Sequence, residues 1–208
     1  MPRGGDPFPI AVLASGTGTN LQAILDSVHG REATVVAVGS DVPGAPALAR
    51  AQRAGVPARA FPLGEHADRA ARDAAMAGWI EERGALLVVL AGYMALLTPG
   101  FLARFPHAVI NVHPALLPAF PGLRAVEQAL EHGVRVTGVT VHFVDEGVDT
   151  GPIVLQRATD VASAEPAERV LERLHAIEHE LLPEAIRLIA RGAVRIDPAD
   201  PRRTLIDG

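Results

Sequence analysis

Asn111 and His113 are the residues whose types and spacing best suit catalysis. They lie at the end of an apolar segment, Val109 to Val112, which predicts a buried β-strand. Alternate side chains of a strand share a face, so the two side chains can converge on one small group. An Asn amide can donate to a developing oxyanion, and a His can donate to it or transfer protons. The pair suits acyl transfer without a protein nucleophile, although Asn and His at a strand end are also common polar loop residues.

A second group of polar residues follows in the glycine-punctuated segment Asp145 to Gly151, which contains three acids, among them Asp149. Acids in such a turn are usually solvated turn formers. His142, in the strand candidate just before the turn, shares a face with Thr140 and lies opposite Val141. This placement fits a structural hydrogen bond as well as catalysis, and the residues alone leave both interpretations open.

A glycine-rich loop, Ser15 to Asn20, joins a strand candidate to a helix candidate. Backbone N–H groups and the positive end of the helix suit a phosphate there, and Asn20 lies where a helix N-cap belongs. The dinucleotide fingerprint G-x-G-x-x-G is only partly matched, because Leu21 replaces its third Gly. In that interpretation Asp41 would bind an NAD ribose. A glycine turn without a ligand is the remaining alternative.

The last helix candidate contains an H-x-x-E-H pattern, formed by His175, Glu178 and His179, which is typical of one class of zinc peptidases. A third ligand is not evident, and we expect no metal. Glu178 shares an apolar helix face with Leu174 and Leu181. A carboxylate on such a face needs a partner, which a substrate amine, a substrate hydroxyl or a buried Arg would provide.

The composition predicts a globular chain, since 49% of the 208 residues are hydrophobic and 21% are charged. The formal net charge of -5 argues against a nucleic-acid partner, which would require clustered Lys and Arg. The absence of Cys excludes disulfides, thiolate nucleophiles and Cys-ligated zinc. No apolar run reaches the roughly 20 residues of a membrane helix, and Met1 to Asp6 with the Pro9-interrupted stretch after it suits a signal peptide poorly. We therefore expect a cytoplasmic protein.

Short segments rich in Val and Ile alternate with helical patterns along the chain. The nearly all-apolar strand candidates indicate parallel strands that are buried on both faces. They are Ile10 to Ala14, Val35 to Gly39, Leu86 to Ala91 and Val109 to Val112. This alternation predicts an α/β fold, a single-domain, doubly wound, mostly parallel sheet.

The pattern changes after Gly122. A helix with Leu123, Val126 and Leu130 leads to strand candidates at Val134 to Val144 and Ile153 to Ala158. These two segments and the turn between them predict an antiparallel C-terminal addition to the sheet. A final helix is expected over 167–189. We expect one domain over residues 1–195, and a loose C-terminal tail over residues 196–208.

Four segments of the chain, in order and in spacing, resemble the phosphoribosylglycinamide formyltransferase family. They are ASGTGTNLQ at 14–22, VVLAGYM at 88–94, INVHPALLPAFPG at 110–122 and TVHFVDEGVDTGP at 140–152. The resemblance implies a Rossmann-like formyltransferase fold. It also implies formyl transfer from the co-substrate 10-formyltetrahydrofolate to the amine of N1-(5-phosphoribosyl)glycinamide, by direct amine attack, in de novo purine (IMP) biosynthesis.

The resemblance also implies roles for individual residues. The implied catalytic trio is Asn111, His113 and Asp149, with the Asp supporting a protonated His. The positions that would hold the ribonucleotide are Gly18, Thr19, Asn20 and Glu178. The positions that would contact the folate are Arg69, Met94, Ala95, Leu96, Leu97 and Asn111. Two residues depart from the family: Ala95 stands where relatives often carry Arg or Lys, and Ala119 where Lys or Ser is common.

Three alternatives to this transferase remain. Formyltetrahydrofolate hydrolase shares much of the pattern but usually carries an additional N-terminal domain, whereas here the first strand candidate starts at Ile10. Methionyl-tRNA formyltransferase appends a C-terminal RNA-binding domain, and the expected tail is short. A non-catalytic nucleotide sensor would leave the trio without a shared purpose. Small-molecule substrates are the expected partners, with a homodimer as a further possibility.

Overall fold

A computed structural model describes residues 7–207, so Met1 to Asp6, part of the expectation about a signal peptide, lie outside the described residues. The strands are β1 (Phe8–Leu13), β2 (Ala33–Ser40), β3 (Ala58–Ala60), β4 (Leu87–Leu90), β5 (Val109–His113), β6 (Val136–Phe143), β7 (Ile153–Asp160), β8 (Val194–Asp197) and β9 (Asp200–Ile206). The α-helices are α1 (Thr19–Ser27), α2 (Pro46–Arg53), α3 (Arg69–Glu81), α4 (Pro99–Leu102), α5 (Ala125–Glu131) and α6 (Ala167–Ala190).

The sheet confirms the predicted fold class. Its strand order is β3-β2-β1-β4-β5-β6-β7, mostly parallel, and β8 and β9 form a separate sheet. The chain also divides into two compact units, residues 1–110 and 111–208, with the boundary inside β5. The single domain expected over residues 1–195 stays a prediction.

In residues 1–110, β1 is the central strand of a parallel ladder. It pairs with β2 on one side and with β4 on the other, and β3 extends the ladder beyond β2. Ile10, Val12 and Leu13 of β1 are fully buried. Apolar side chains on both faces are what a parallel strand covered by helices requires, which is why its sequence shows no polar alternation.

Helix α1 begins earlier than the sequence predicts. Its N-cap is Gly18 in the left-handed conformation (φ 73), without a side-chain hydrogen bond, and Asn20 lies inside the first turn. The expected Asn20 cap is therefore wrong, because glycine adopts this conformation at no steric cost and turns the chain into the helix two residues sooner. Helix α3 has a conventional cap, in which Asp68 accepts from the Ala71 amide at 2.8 Å.

In residues 111–208, β6 and β7 pair antiparallel and α6 packs against both. Leu174 and Leu181 of α6 are buried, as its helical periodicity predicts. Helix α5, which precedes β6, is shorter than expected. It begins at Ala125, and Leu123 is 75% exposed. Arg124, just before the helix, has φ 59, so Leu123 cannot continue the apolar face of α5.

The C-terminal residues form a hairpin of β8 and β9, whereas the sequence predicted a loose tail from residue 196. The two prolines that suggested a break occupy tolerated positions, Pro198 in the turn and Pro201 early in β9. Asp197 accepts from the Ala199 amide at 2.9 Å and fixes that turn. Within residues 7–207, no helix combines the length and apolarity needed to span a membrane.

Candidate active site

Asp149 is the centre of a polar cluster in residues 111–208. Its Oδ1 accepts from Asn111 Nδ2 at 3.3 Å and lies 3.4 Å from His142 Nε2. Its Oδ2 accepts from the Gly122 amide at 2.8 Å and lies 3.3 Å from His113 Nδ1. The structure thus brings Asp149, which was grouped with Asn111 and His113 only by resemblance, into contact with both residues, and adds His142 to them.

The acidic turn aims the Asp149 carboxylate at this cluster. Asp149 has φ 54, a left-handed conformation that Asp adopts more readily than most residues. Asp145 is a turn former, which is the other role expected of these acids. It accepts from the Gly147 amide at 3.1 Å and from the Thr150 hydroxyl at 2.7 Å. A Cβ at Gly151 would overlap the Phe143 carbonyl, so glycine allows the turn to fold tightly against the end of β6.

The two histidines are held at both ring nitrogens. His113 Nε2 lies 2.9 Å from the Phe120 carbonyl, which can only accept, so this nitrogen carries a proton. His142 Nδ1 lies 2.7 Å from the Phe143 carbonyl and carries a proton for the same reason. His113 is 5% exposed, and its Nδ1 faces a carboxylate, so a second proton on this ring would have an acceptor ready.

His142 is the member of the cluster that sequence reasoning left undecided. It is buried, and its Nε2 lies 3.4 Å from Asn111 Nδ2 as well as 3.4 Å from Asp149 Oδ1. The only sequence signal was a polar His on the same strand face as Thr140. That signal could not reveal that the following turn folds back to place Asp149 beside it.

The electrostatics favour an ionised Asp149. Burial opposes ionisation, but hydrogen bonds from His142 and the Gly122 amide, with the charges of His113 and His142, lower the pKa of Asp149 to about 2. A carboxylate that stays charged beside two imidazoles can orient their protons and stabilise an imidazolium. The cluster therefore combines an amide donor, a proton-carrying imidazole and a fixed negative charge.

The glycine loop has the form of an anion cradle within residues 1–110. It follows β1 and ends in the first turn of α1, whose N–H groups have no acceptors inside the helix. A Cβ on Gly18 would lie 2.8 Å from both the Cα and the Cβ of Ala47. Arg50 Nε donates to the Thr17 carbonyl at 2.8 Å and holds the loop against α2. Gly18 is therefore required both by its φ and by the close approach of α2.

The other residues that are expected to contact the folate are exposed or half-buried. Among the expected folate contacts, Arg69 is exposed at the start of α3, and Met94 and Leu96 are 63% and 60% exposed in the segment after β4. Ala95 and Leu97 of that segment are half-buried.

Glu178 is buried on the inner face of α6, as its sequence pattern predicts. It shares that helix with the H-x-x-E-H pattern, in which His175 is exposed and burial lowers the pKa of His179, with repulsion from His175 adding to the effect. Among residues 7–207, no cluster of three or more His, Asp and Glu side chains could hold a metal ion.

The chain is similar to known proteins over most of its length. The model of the formyl transferase family matches residues 9–186. The chain is 44% identical over 191 residues to a phosphoribosylglycinamide formyltransferase from Mycobacterium tuberculosis, a match that covers 91% of this chain and 88% of that protein. The crystal structure of glycinamide ribonucleotide transformylase 1 from Symbiobacterium toebii is similar with a TM-score of 0.94 and 47% identity, over 100% of this chain and 98% of that one.

Two further similarities are less direct. The chain is 43% identical over 189 residues, 90% of its length, to a trifunctional purine biosynthetic protein adenosine-3 from Bos taurus, but it spans only 19% of that protein. A formyltetrahydrofolate deformylase from Pseudomonas syringae has a TM-score of 0.88 at 24% identity, over 98% of this chain and 67% of that one. At that level of identity the likeness concerns the fold alone.

Proposed function

Because the chain belongs to the formyl transferase family, among the phosphoribosylglycinamide formyltransferases, we propose that it transfers the formyl group of 10-formyltetrahydrofolate to the amine of N1-(5-phosphoribosyl)glycinamide. In the cell this would be a step of de novo purine biosynthesis. The observation that carries the proposal is the Asp149 carboxylate, which contacts both Asn111 and His113. The cluster supplies donors for an oxyanion and a route for protons, and it contains no Ser or Cys nucleophile.

The proposed reaction is a direct attack of the substrate amine on the formyl carbon. The new C–N bond forms while the carbonyl electrons move to oxygen, and the resulting oxyanion accepts hydrogen bonds from Asn111 Nδ2 and a His113 N–H. The His113 Nε2 proton now points to the Phe120 carbonyl, so the oxyanion would replace that carbonyl as its acceptor. The tetrahedral intermediate collapses when the bond to the folate nitrogen breaks. The proton lost by the amine moves to that nitrogen through a water molecule held by Asp149.

Binding of the two substrates is assigned to separate segments. We propose that Gly18, Thr19 and Asn20 bind the ribonucleotide phosphate and that Glu178 binds its amine or hydroxyl groups. We propose that Arg69, the segment 94–97 and Asn111 contact the folate. The exposed Met94 and Leu96 side chains support this role, because an exposed apolar surface suits an aromatic ligand.

Two positions that depart from the family are occupied by alanine. Ala95 offers only a methyl group to the folate segment, and Ala119 offers no polar contact in its loop. We propose contacts through backbone and neighbouring apolar atoms at these positions. The cytoplasmic location, the homodimer and the absence of a metal requirement stay predictions.

The proposal is tested by following 10-formyltetrahydrofolate consumption with and without N1-(5-phosphoribosyl)glycinamide. We expect consumption only when the amine is present, and the same rate after treatment with EDTA. Equal consumption without the amine would mean that the chain is a hydrolase. Loss of activity in EDTA, with recovery on adding zinc, would instead indicate a zinc site at His175 and His179. His113→Asn serves as the control for contaminating enzymes.

A further inference from the structure

Asp41 has a partner that the sequence did not suggest. The Ser15 hydroxyl donates to Asp41 Oδ1 at 2.5 Å and accepts from the Met94 amide at 2.8 Å. A hydroxyl carries one proton and two lone pairs. Because Asp41 takes the proton, the Ser15 lone pairs are turned toward Met94. Asp41 thus fixes the direction of a hydrogen bond to a segment more than fifty residues away in sequence.

The same segment is held at its other end by a second carboxylate. Asp73 Oδ2 accepts from the Thr98 amide at 2.7 Å, and Asp73 Oδ1 accepts from the Arg72 guanidinium at 2.7 and 2.9 Å. Asp73 is fully buried and Arg72 is nearly so. Hydrogen bonds to an ionised acceptor are stronger than neutral ones, and a buried pair of this kind has little freedom to move.

Between these two attachments lies an exposed apolar stretch. Met94 and Leu96 are among the most exposed large hydrophobic side chains of residues 7–207, yet the backbone that carries them is anchored at residues 94 and 98. The Ser15 amide adds a third attachment by donating to the Gly92 carbonyl at 3.0 Å. A backbone held this firmly loses little entropy when a ligand covers its side chains.

From this geometry we propose that Ser15, Asp41 and Asp73 are positioning residues that hold the segment 94–98 in its ligand-binding form. The proposal rests on the proposed function, in which that segment contacts the folate. Ser15 also begins the loop assigned to the ribonucleotide phosphate. Its hydroxyl therefore ties the start of that loop to the start of the folate segment, within residues 1–110.

The test uses Ser15 and Asp41, because replacing Asp73 would leave the buried Arg72 guanidinium without its carboxylate. Ser15→Ala removes the acceptor for the Met94 amide, and Asp41→Ala removes the group that orients it. Asp41→Asn keeps a carbonyl oxygen that can accept from Ser15. Ser163→Ala is the matched control, since it removes a hydroxyl that accepts from Arg135 outside this arrangement.

Two measurements are made on the full chain. We expect amide hydrogen exchange at Met94 to become about 5- to 10-fold faster in Ser15→Ala and in Asp41→Ala, the loss of roughly one hydrogen bond. We expect the KM for 10-formyltetrahydrofolate and the Kd for tetrahydrofolate to rise by a similar factor, while the KM for the ribonucleotide changes less than about 2-fold. Asp41→Asn should recover most of both losses, and Ser163→Ala should match the wild type.

The outcomes separate this inference from the proposed function. Unchanged exchange at Met94 would overturn the inference, and so would faster exchange without weaker folate binding. A KM for the ribonucleotide that rises as much as that for the folate would also overturn it, because the effect would then not be confined to the segment 94–98. If the wild type transfers no formyl group, the proposed function fails. Met94 exchange and tetrahydrofolate binding then still decide the role of Ser15 and Asp41.

Discussion

The pKa of Asp149 leads to a quantitative prediction about the stability of the folded chain. The drop from 3.8 for an ordinary Asp to about 2 corresponds to roughly 2 kcal/mol, at about 1.4 kcal/mol per pKa unit. The Asp149 side chain is 13% exposed, so solvent screens its contacts only weakly. Asp149→Asn removes the charge and keeps the size of the side chain. Asn also tolerates φ 54, so the variant should not strain the turn.

The direction of the pH effect follows from the lowered pKa. A carboxyl that ionises more readily when folded stabilises the fold above the pKa of the unfolded chain, about 4. That contribution disappears as the pH falls through the folded value of about 2. The difference in free energy of unfolding between wild type and Asp149→Asn should therefore be largest at pH 5. It should shrink by ~2 kcal/mol toward pH 2.

Urea unfolding of both proteins at pH 5, 4, 3 and 2.5 measures this difference directly. A difference that stays constant with pH would refute the reasoning, because Asp149 would then be no more acidic in the folded chain than in the unfolded one. A difference that grows toward low pH would mean that burial outweighs the hydrogen bonds.

Two further predictions concern substrate binding and turnover. Gly18→Val should raise the KM for the ribonucleotide far more than that for the folate, because a side chain there meets Ala47 at 2.8 Å and forces φ 73 on a β-branched residue. Steady-state kinetics with each substrate varied in turn checks this, and a selective rise in the folate KM would contradict the assignment of the loop. His113→Asn and Asp149→Asn should each lower kcat on the order of 100-fold, and the double variant should cost little more than the worse single one, because the two side chains act as a unit. Fully multiplicative losses would show independent roles.

Sequence patterns predicted the sheet well where burial alone decides the structure. The apolar segments around Ile10, Val35 and Val109 could hardly form anything but buried parallel strands. Elements that depend on local backbone geometry were harder to predict. The short strand β3 and the hairpin of β8 and β9 carry weak periodicity, and the start of α1 depends on Gly18 reaching φ 73.

The candidate site shows a similar division. Asn111 and His113 could be paired from strand alternation, because they are separated by one residue. Asp149 could be assigned only by resemblance. Its position depends on a positive φ and on a turn that folds back on β6, and neither leaves a periodic signal. His142 joins the cluster for the same reason, since only the folded turn places a carboxylate beside it.

The fate of an isotopic label in the formyl group tests the central claim most directly. Incubation of the purified chain with formyl-labelled 10-formyltetrahydrofolate and N1-(5-phosphoribosyl)glycinamide should place the label in the formylated ribonucleotide, in a one-to-one ratio with the tetrahydrofolate released. The same incubation with Asp149→Asn should give the same product at a rate on the order of 100-fold lower. Label recovered as formate, at a rate independent of the ribonucleotide, would contradict the account.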